Sequence, residues 1–199
     1  MAQFPKAMED LIRELSNLPT IGRKSARRLA FKIIDMDNSQ VEKLADALIS
    51  VKKNIKHCEQ CGNLSDEEFC VICSDEGRDK SIITVVEDSS NIPAIEKSRE
   101  YRGLYHVLGG VISPRDNITP EDLNIEKLVE RAKKPETKEI ILALSPTVDG
   151  DMTANILANI LKGADVKVTQ ISKGIPVGAS LEFYDEMSIY NAMRNRREM

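Results

Sequence analysis

Four cysteines, the only ones among 199 residues, fall as two CxxC pairs: Cys58-Glu59-Gln60-Cys61 and, eight residues on, Cys70-Val71-Ile72-Cys73. Each pair lets two thiolates turn onto one ion, so together they offer the four soft ligands of a closed tetrahedral Zn²⁺ site. Gly62 follows the first pair, where a tight turn needs a permissive backbone. Two disulfides would suit a secreted chain, and nothing here signals export. A redox CxxC comes once and needs no twin. With all four positions taken by protein, such a zinc holds shape and does no chemistry. It staples a segment too short to bury a core of its own.

A second concentration of chemistry is cationic. The turn Leu18-Pro19-Thr20-Ile21-Gly22 feeds a helix N-terminus, and Arg23, Lys24, Arg27 and Arg28 add four cations within six residues. The first amides of a helix have no intrahelical acceptor and carry partial positive charge, so a phosphate can dock there without any side chain. Arg23/Arg27 and Lys24/Arg28 are i,i+4 pairs, each on one helical stripe, and such crowding destabilises an isolated helix. A solvated basic face would explain a charge run alone. With the hairpin glycine in front, contact with a DNA backbone explains more. The arrangement resembles the helix-hairpin-helix motif of DNA repair proteins, which grips phosphates and reads no bases. Binding is then expected to be sequence-independent and salt-sensitive.

A third set is acidic. Glu87 follows the β-branched run Ile82–Val86, and Asp149-Gly150-Asp151 follows the apolar run Ile140–Leu144. In open α/β sheets ligand chemistry gathers beyond the carboxyl ends of strands, so two loops could bring three carboxylates to one edge, enough oxygen for a Mg²⁺. Gly150 is expected to let the backbone turn sharply between the two acids. Alone, DGD has little specificity, because an acid cap at a helix N-terminus explains Asp149 or Asp151 as well. Together with a strand-end Glu87 it resembles the Toprim signature of primases, topoisomerases and some nucleases.

The elements that must position these groups change character along the chain. Met8, Leu11, Ile12 and Leu15 recur at helical spacing behind Pro5. A second helix after Gly22 is expected to bury Ala26, Leu29, Ala30 and Ile33. A third is expected to start at Ser39, in a capping box with Glu42, and to bury Val41, Leu44, Ala45, Leu48 and Ile55, completing a small bundle. Beyond the cysteines, apolar runs at Ile82–Val86, Tyr105–Leu108, Ile140–Leu144 and Val166–Thr169 read as strands. They alternate with helices over Asn91–Arg99, Thr119 to about Lys133, and Asp151–Lys162, which predicts a parallel sheet flanked by helices. Ile171–Phe183 reads as an irregular crossover and Asp185–Arg196 as a helix, with Arg194, Arg196 and Arg197 complementing its dipole. The predicted fold is therefore α/β, with boundaries at 1–56 (helical), 57–79 (cysteine module), 80–175 (sheet) and 176–199 (C-terminal segment).

Hydrophobic residues make up 41% and charged residues 30%, an ordinary globular balance. No apolar run approaches a membrane span. Glu9, Asp10 and Glu14 near the N-terminus are unlike a signal peptide, which implies a cytoplasmic protein. The net charge of −4 does not announce a nucleic-acid binder, but only the field near a phosphate matters for contact. Trp is absent and other aromatics are few, which argues against recognition by base stacking.

Taken in order, helix-hairpin-helix, four-cysteine zinc module and Toprim module resemble the RecR family of bacterial recombination mediators over nearly the whole chain. The most specific pieces are Leu18–Phe31, Cys58–Cys73, Ser145–Asp151, Gly174-Ile175-Pro176-Val177-Gly178 and Leu181-Glu182-Phe183. Many members carry Glu where this chain has Asp149 and Asp151. The resemblance implies a non-catalytic, nucleoid-associated platform that binds DNA as a ring-shaped homo-oligomer, commonly a tetramer. With RecO, and sometimes RecF, it would load RecA onto single strands coated by single-strand-binding protein. It assigns the C-terminal segment to subunit contacts and the acidic edge to a partner or to Mg²⁺. The competing reading is a Mg²⁺-dependent Toprim nuclease, with Glu87 as general acid/base and Asp149 and Asp151 on the metal. A topoisomerase would need a tyrosine-bearing domain and a primase further modules, for which this length leaves no room.

Overall fold

The structure, a computed structural model, describes residues 4–175, 178 and 180–196. Pro176, Val177 and Arg197, singled out above, lie outside the described residues. The chain divides into two compact units, Met1–Ile55 and Lys56–Met199.

In the first unit Pro5 caps helix α1 (Lys6–Ser16), where its missing N–H costs nothing. Helix α2 (Arg23–Ile34) follows Gly22. Met8 and Ile12 of α1 meet Ala26 and Ala30 of α2, with Phe4, Leu11, Leu15 and Ile21 packed around them. Phe4 and Phe31 stack edge to face at 5.6 Å. Of the apolar residues expected inside from α2, the two alanines are buried, Ile33 is half-buried and Leu29 is exposed. Close packing of two helices selects small residues at the contact and leaves the larger side chain at its margin.

Helix α3 (Asn38–Asn54) departs further from expectation. Its N-cap is Asp37, in a capping box with Gln40 rather than the expected Ser39 and Glu42. None of its residues is buried: Val41 is half-buried, while Leu44, Leu48, Ile49 and Val51, and Ile55 just past its end, stay exposed. The apolar spacing is helical, as read, but spacing reports which face is apolar and not what covers it.

In the second unit a two-stranded antiparallel hairpin, β1 (Lys56–His57) and β2 (Leu64–Ser65), opens the cysteine module. Four parallel strands follow: β3 (Asp79–Val86), β4 (Gly103–Val107), β5 (Glu139–Leu142) and β6 (Lys167–Gln170), in the order β4-β3-β5-β6. Val85 lies opposite His106 on one side and Leu142 on the other. The β-branched end of β3 is buried throughout, as a central parallel strand requires. Helices α4 (Ile92–Glu96), α5 (Ile125–Ala132) and α6 (Val148–Ile160) connect the strands, and α7 (Glu186–Arg194) follows. Ile83, Leu128, Ile140, Leu157 and Leu161 are among the most buried side chains of the shared core.

Three connections differ from the pattern read in the sequence. The helix expected from Thr119 is a short 3₁₀ turn, Pro120–Asp122, which stops where Leu123 turns extended and buries itself; α5 starts afresh after Asn124. The helix expected over Asn91–Arg99 is only Ile92–Glu96, preceded by a 3₁₀ turn, and Arg99 has a positive φ of 58°. Helix α6 begins three residues earlier than expected, at Val148, so both aspartates lie inside its first turn.

Candidate metal centre and nucleic-acid interface

The cysteine module is built by its turns. Cys58 N–H donates to the Asn63 carbonyl (2.7 Å) and Gly62 N–H to the Cys58 carbonyl (2.9 Å), while Ser74 N–H closes the second pair on the Cys70 carbonyl (3.0 Å). Gly62 has φ +75°, and a Cβ there would stand 2.9 Å from the Val107 carbonyl, so both its backbone and its neighbour demand glycine. All four cysteines are free. Their sulfurs lie within 4.8 Å of one another, with Cys61 and Cys70 3.6 Å apart. A disulfide would bring two sulfurs to about 2 Å, whereas the edge of a ZnS₄ tetrahedron with ordinary Zn–S bonds is about 3.8 Å. The donor set fits a zinc ion. Crowding also opposes joint ionisation unless a cation sits among the sulfurs. Contact with Cys70, then with Cys73, together with burial pushes the Cys61 thiol up, and contact with Cys61 holds Cys70 down.

The module is seated on the sheet. Val107 N–H at the end of β4 donates to the Cys61 carbonyl (2.7 Å), and Lys127 Nζ from α5 donates to the Glu59 carbonyl (2.9 Å). Cys58, Cys61 and Cys70 belong to the same buried cluster as the strands.

The acidic edge is arranged otherwise. Glu87, directly after β3, accepts hydrogen bonds from the Ser145 N–H and, at 3.0 Å, from the Ser145 hydroxyl. Thr147 caps α6, its hydroxyl accepting from Gly150 N–H (3.0 Å). Gly150 is not the hinge that the sequence leads one to expect: it is helical, and a Cβ there would lie 2.1 Å from the Ser145 carbonyl. Asp149 pairs with Arg115 (3.3 Å) and Asp151 with Lys173. Each of the three carboxylates therefore has its own protein partner. Among the described residues the cysteine quartet is the one group of three or more ligand-type side chains that could hold a metal ion. Arg115 and Lys173 were not marked by any local pattern, because each meets its aspartate only through the fold.

The cationic turn lies in the first unit. Its left-handed residue is Thr20 (φ 67°), not Gly22, whose φ of −73° suits any residue. Nothing lies within 4 Å of a Cβ built on Gly22, so the space there is open and the position does not itself demand glycine. No side chain caps α2, and the amides of its first turn have no intrahelical acceptor. Arg23, Lys24, Arg27 and Arg28 are all exposed. Arg23 reaches Glu9 only at 3.9 Å, with its side chain 86% exposed, and such a pair contributes little. No ion pair among the described residues engages the other three.

Four family models match the chain in succession: RecR helix-hairpin-helix over residues 8–52, RecR four-cysteine zinc finger domain over 55–75, Toprim domain over 81–172, and RecR C-terminal over 174–197. The clustered sulfurs and the zinc-finger match together support a structural zinc. Proteins named "Recombination protein RecR" are similar along their whole length. The one from Finegoldia magna is 59% identical, covering 100% of both chains. Those from Acidothermus cellulolyticus and Staphylococcus aureus are 47% and 44% identical, each over 98% of this chain and 98% and 99% of their own. An open cationic helix mouth, a cysteine quartet and a parallel sheet with a carboxylate edge follow one another here as the matched segments do, and the chain belongs to the RecR family.

Proposed function

We propose that this chain is a non-catalytic DNA-binding platform of recombinational repair. It acts in the cytoplasm at the nucleoid, binds DNA without regard to sequence, and with RecO, and in some settings RecF, loads RecA onto single strands. The observation that carries the reading is the uncapped start of α2 beside four exposed cations. The uncapped amides after Gly22, with Arg23, Lys24, Arg27 and Arg28, would grip phosphates. Cys58, Cys61, Cys70 and Cys73 would hold the structural zinc. The name shared by the relatives supports the recombination role.

A homo-oligomer, a ring of four in this reading, is supported by apolar side chains left uncovered within each unit. Leu44, Leu48 and Val51 of α3 are exposed, as are Phe183, Met187 and Tyr190 near the C-terminus. Faces of this kind mark protein contacts. Several basic turns in one assembly would convert weak phosphate contacts into useful affinity. Glu87, Asp149 and Asp151 serve in this reading as a docking edge for a basic partner rather than as a Mg²⁺ site, since among the described residues they form no ligand cluster like that of the cysteines. No helix among the described residues is long and apolar enough to cross a membrane.

The test is DNA binding as a function of salt. Replacing Arg23 and Arg27 by Ala together should weaken binding and lower the slope of log affinity against log salt by about 0.7–0.9 per lost phosphate contact. An unchanged affinity at low salt removes the turn from the interface. The same protein incubated with labelled single- and double-stranded DNA and Mg²⁺ or Mn²⁺ should leave it intact. Cleavage abolished by Glu87→Gln would make the chain a nuclease instead.

A further inference from the structure

Arg131 lies in the last turn of α5 and is only 4% exposed. A guanidinium stays protonated at any pH a fold survives, so this residue carries a full positive charge into the interior. Its Nη1 donates to the Tyr105 carbonyl (2.7 Å) and to His106 Nδ1 (3.2 Å). His106 Nε2 in turn donates to the Asn124 carbonyl (2.7 Å). Facing a group that can only donate, Nδ1 must be the bare nitrogen, so the imidazole is neutral. Neither partner supplies negative charge. Nη2 has no hydrogen-bond partner, and no carboxylate among the described residues pairs with Arg131.

Arg78, the other arginine largely buried in this unit, shows the ordinary solution. Its two terminal nitrogens fork onto Glu96 at 2.8 and 2.7 Å. An interior cation without such a counter-charge is strongly unfavourable. Burial lowers the Arg131 pKa, and against it Cys73, then Cys61, Cys58 and Cys70 favour the ionised guanidinium. Four thiolates on one Zn²⁺ would carry a formal charge of roughly −2, enclosed in the same core as Leu128 and Ala132 of α5.

We propose that Arg131 is the internal counter-ion of the cysteine-bound zinc, a positioning residue outside the coordination sphere that sets how tightly the metal is held. The same side chain links metal loading to the seating of α5 on β4. Tyr105 and His106, which it holds, lie in β4 beside Val107, whose N–H holds the Cys61 carbonyl. The proposal rests on the reading that the quartet holds zinc.

The test uses the full chain with its native metal. Zinc content is measured first, and affinity is then measured by competition with a chromophoric zinc chelator for wild type, Arg131→Met and Arg131→Lys. Wild type should carry about one zinc per chain. Arg131→Met, which removes the charge, should bind zinc about 10–100-fold more weakly, the scale of outer-shell effects. Arg131→Lys keeps the charge and loses the fork, and should stay within a few-fold of wild type. A merely structural arginine would lower the thermal midpoint of both variants while leaving their zinc affinities alone, and that result overturns the proposal. If Arg131→Met does not fold, Arg131→Gln, which also removes the charge but can still donate to the Tyr105 carbonyl, decides: a tenfold loss of zinc affinity upholds the counter-ion and near-native affinity overturns it. Wild type without zinc would overturn the metal reading and this proposal with it, and the first measurement tells that failure from the others.

Discussion

In the cysteine quartet the donor atoms face one another across less than 5 Å, whereas in the carboxylate trio each donor faces a different protein group. Both sets lie in the same unit, and both are made of good metal ligands. They differ in what surrounds them. Around the sulfurs the donors are backbone amides, that of Asn63 at Cys61 and those of Cys73 and Ile72 at Cys70, which bring no positive charge of their own. Around the carboxylates Ser145, Arg115 and Lys173 supply the hydrogen bonds and positive charge that an ion would otherwise bring. Ligand type sets what a group can bind. Whether the group is free to bind it depends on its neighbours.

The largest expected effect comes from breaking the convergent set. Cys58→Ser should abolish stoichiometric zinc and cost more than about 3 kcal/mol, lowering the thermal midpoint by roughly 10 °C. A zinc-free variant melting with wild type would put the quartet on the same footing as the acids.

Acid should act on the core beneath the module. His106 is held neutral, its pKa lowered to about 4 by burial and then by the Arg131 charge. The unfolded chain takes up this proton near pH 6.5 and the folded one only near 4. Stability from this group is therefore full above about pH 6.5 and declines as pH falls toward 4, by up to roughly 3 kcal/mol. His106→Gln can still donate to Asn124 and accept from Arg131 but cannot titrate, so its unfolding free energy should fall less steeply across that window. Equal slopes would refute the assignment.

Gly150→Ala sharpens the other side. Its Cβ would meet the Ser145 carbonyl at 2.1 Å, so the first turn of α6 must move, at a cost of about 1–3 kcal/mol. A neutral outcome in thermal melts would mean that the turn is looser than its contacts imply.

The smallest effect is the most diagnostic. Lys173→Ala frees Asp151, so millimolar Mg²⁺ should stabilise this variant by less than about 1 kcal/mol and leave wild type unmoved. If Mg²⁺ raised the melting temperature of both alike, the lysine would not be standing in for a cation.

Much of this was legible residue by residue. The CxxC spacing is a local property, because two residues between ligands determine how a turn presents them. The β-branched run Ile82–Val86 could only be a buried strand, and it became the middle of the sheet. The cations of α2 could be placed on one helix from spacing alone. Other features were hidden. Asp37-x-x-Gln40 and Ser39-x-x-Glu42 both have the form of a capping box, and the path of the chain into α3 chose between them. Arg131 carried a faint signal: it stands three residues after Leu128 on the apolar stripe of α5, where a cation is out of place.

By itself the amino-acid sequence determined which groups exist and how close neighbours along the chain present them: two thiolate pairs, a cationic helix start, acids after strands, and the α/β alternation. These follow from periodicity, turn chemistry and side-chain reach over a few residues, all of them short-range. Tertiary structure decided which groups meet across long stretches of chain, such as Lys173 with Asp151, Arg115 with Asp149, and Arg131 with His106. It also decided that α3 would keep its apolar face uncovered within its own unit. Those outcomes depend on burial and Coulombic energies between residues tens of positions apart, which no local pattern encodes.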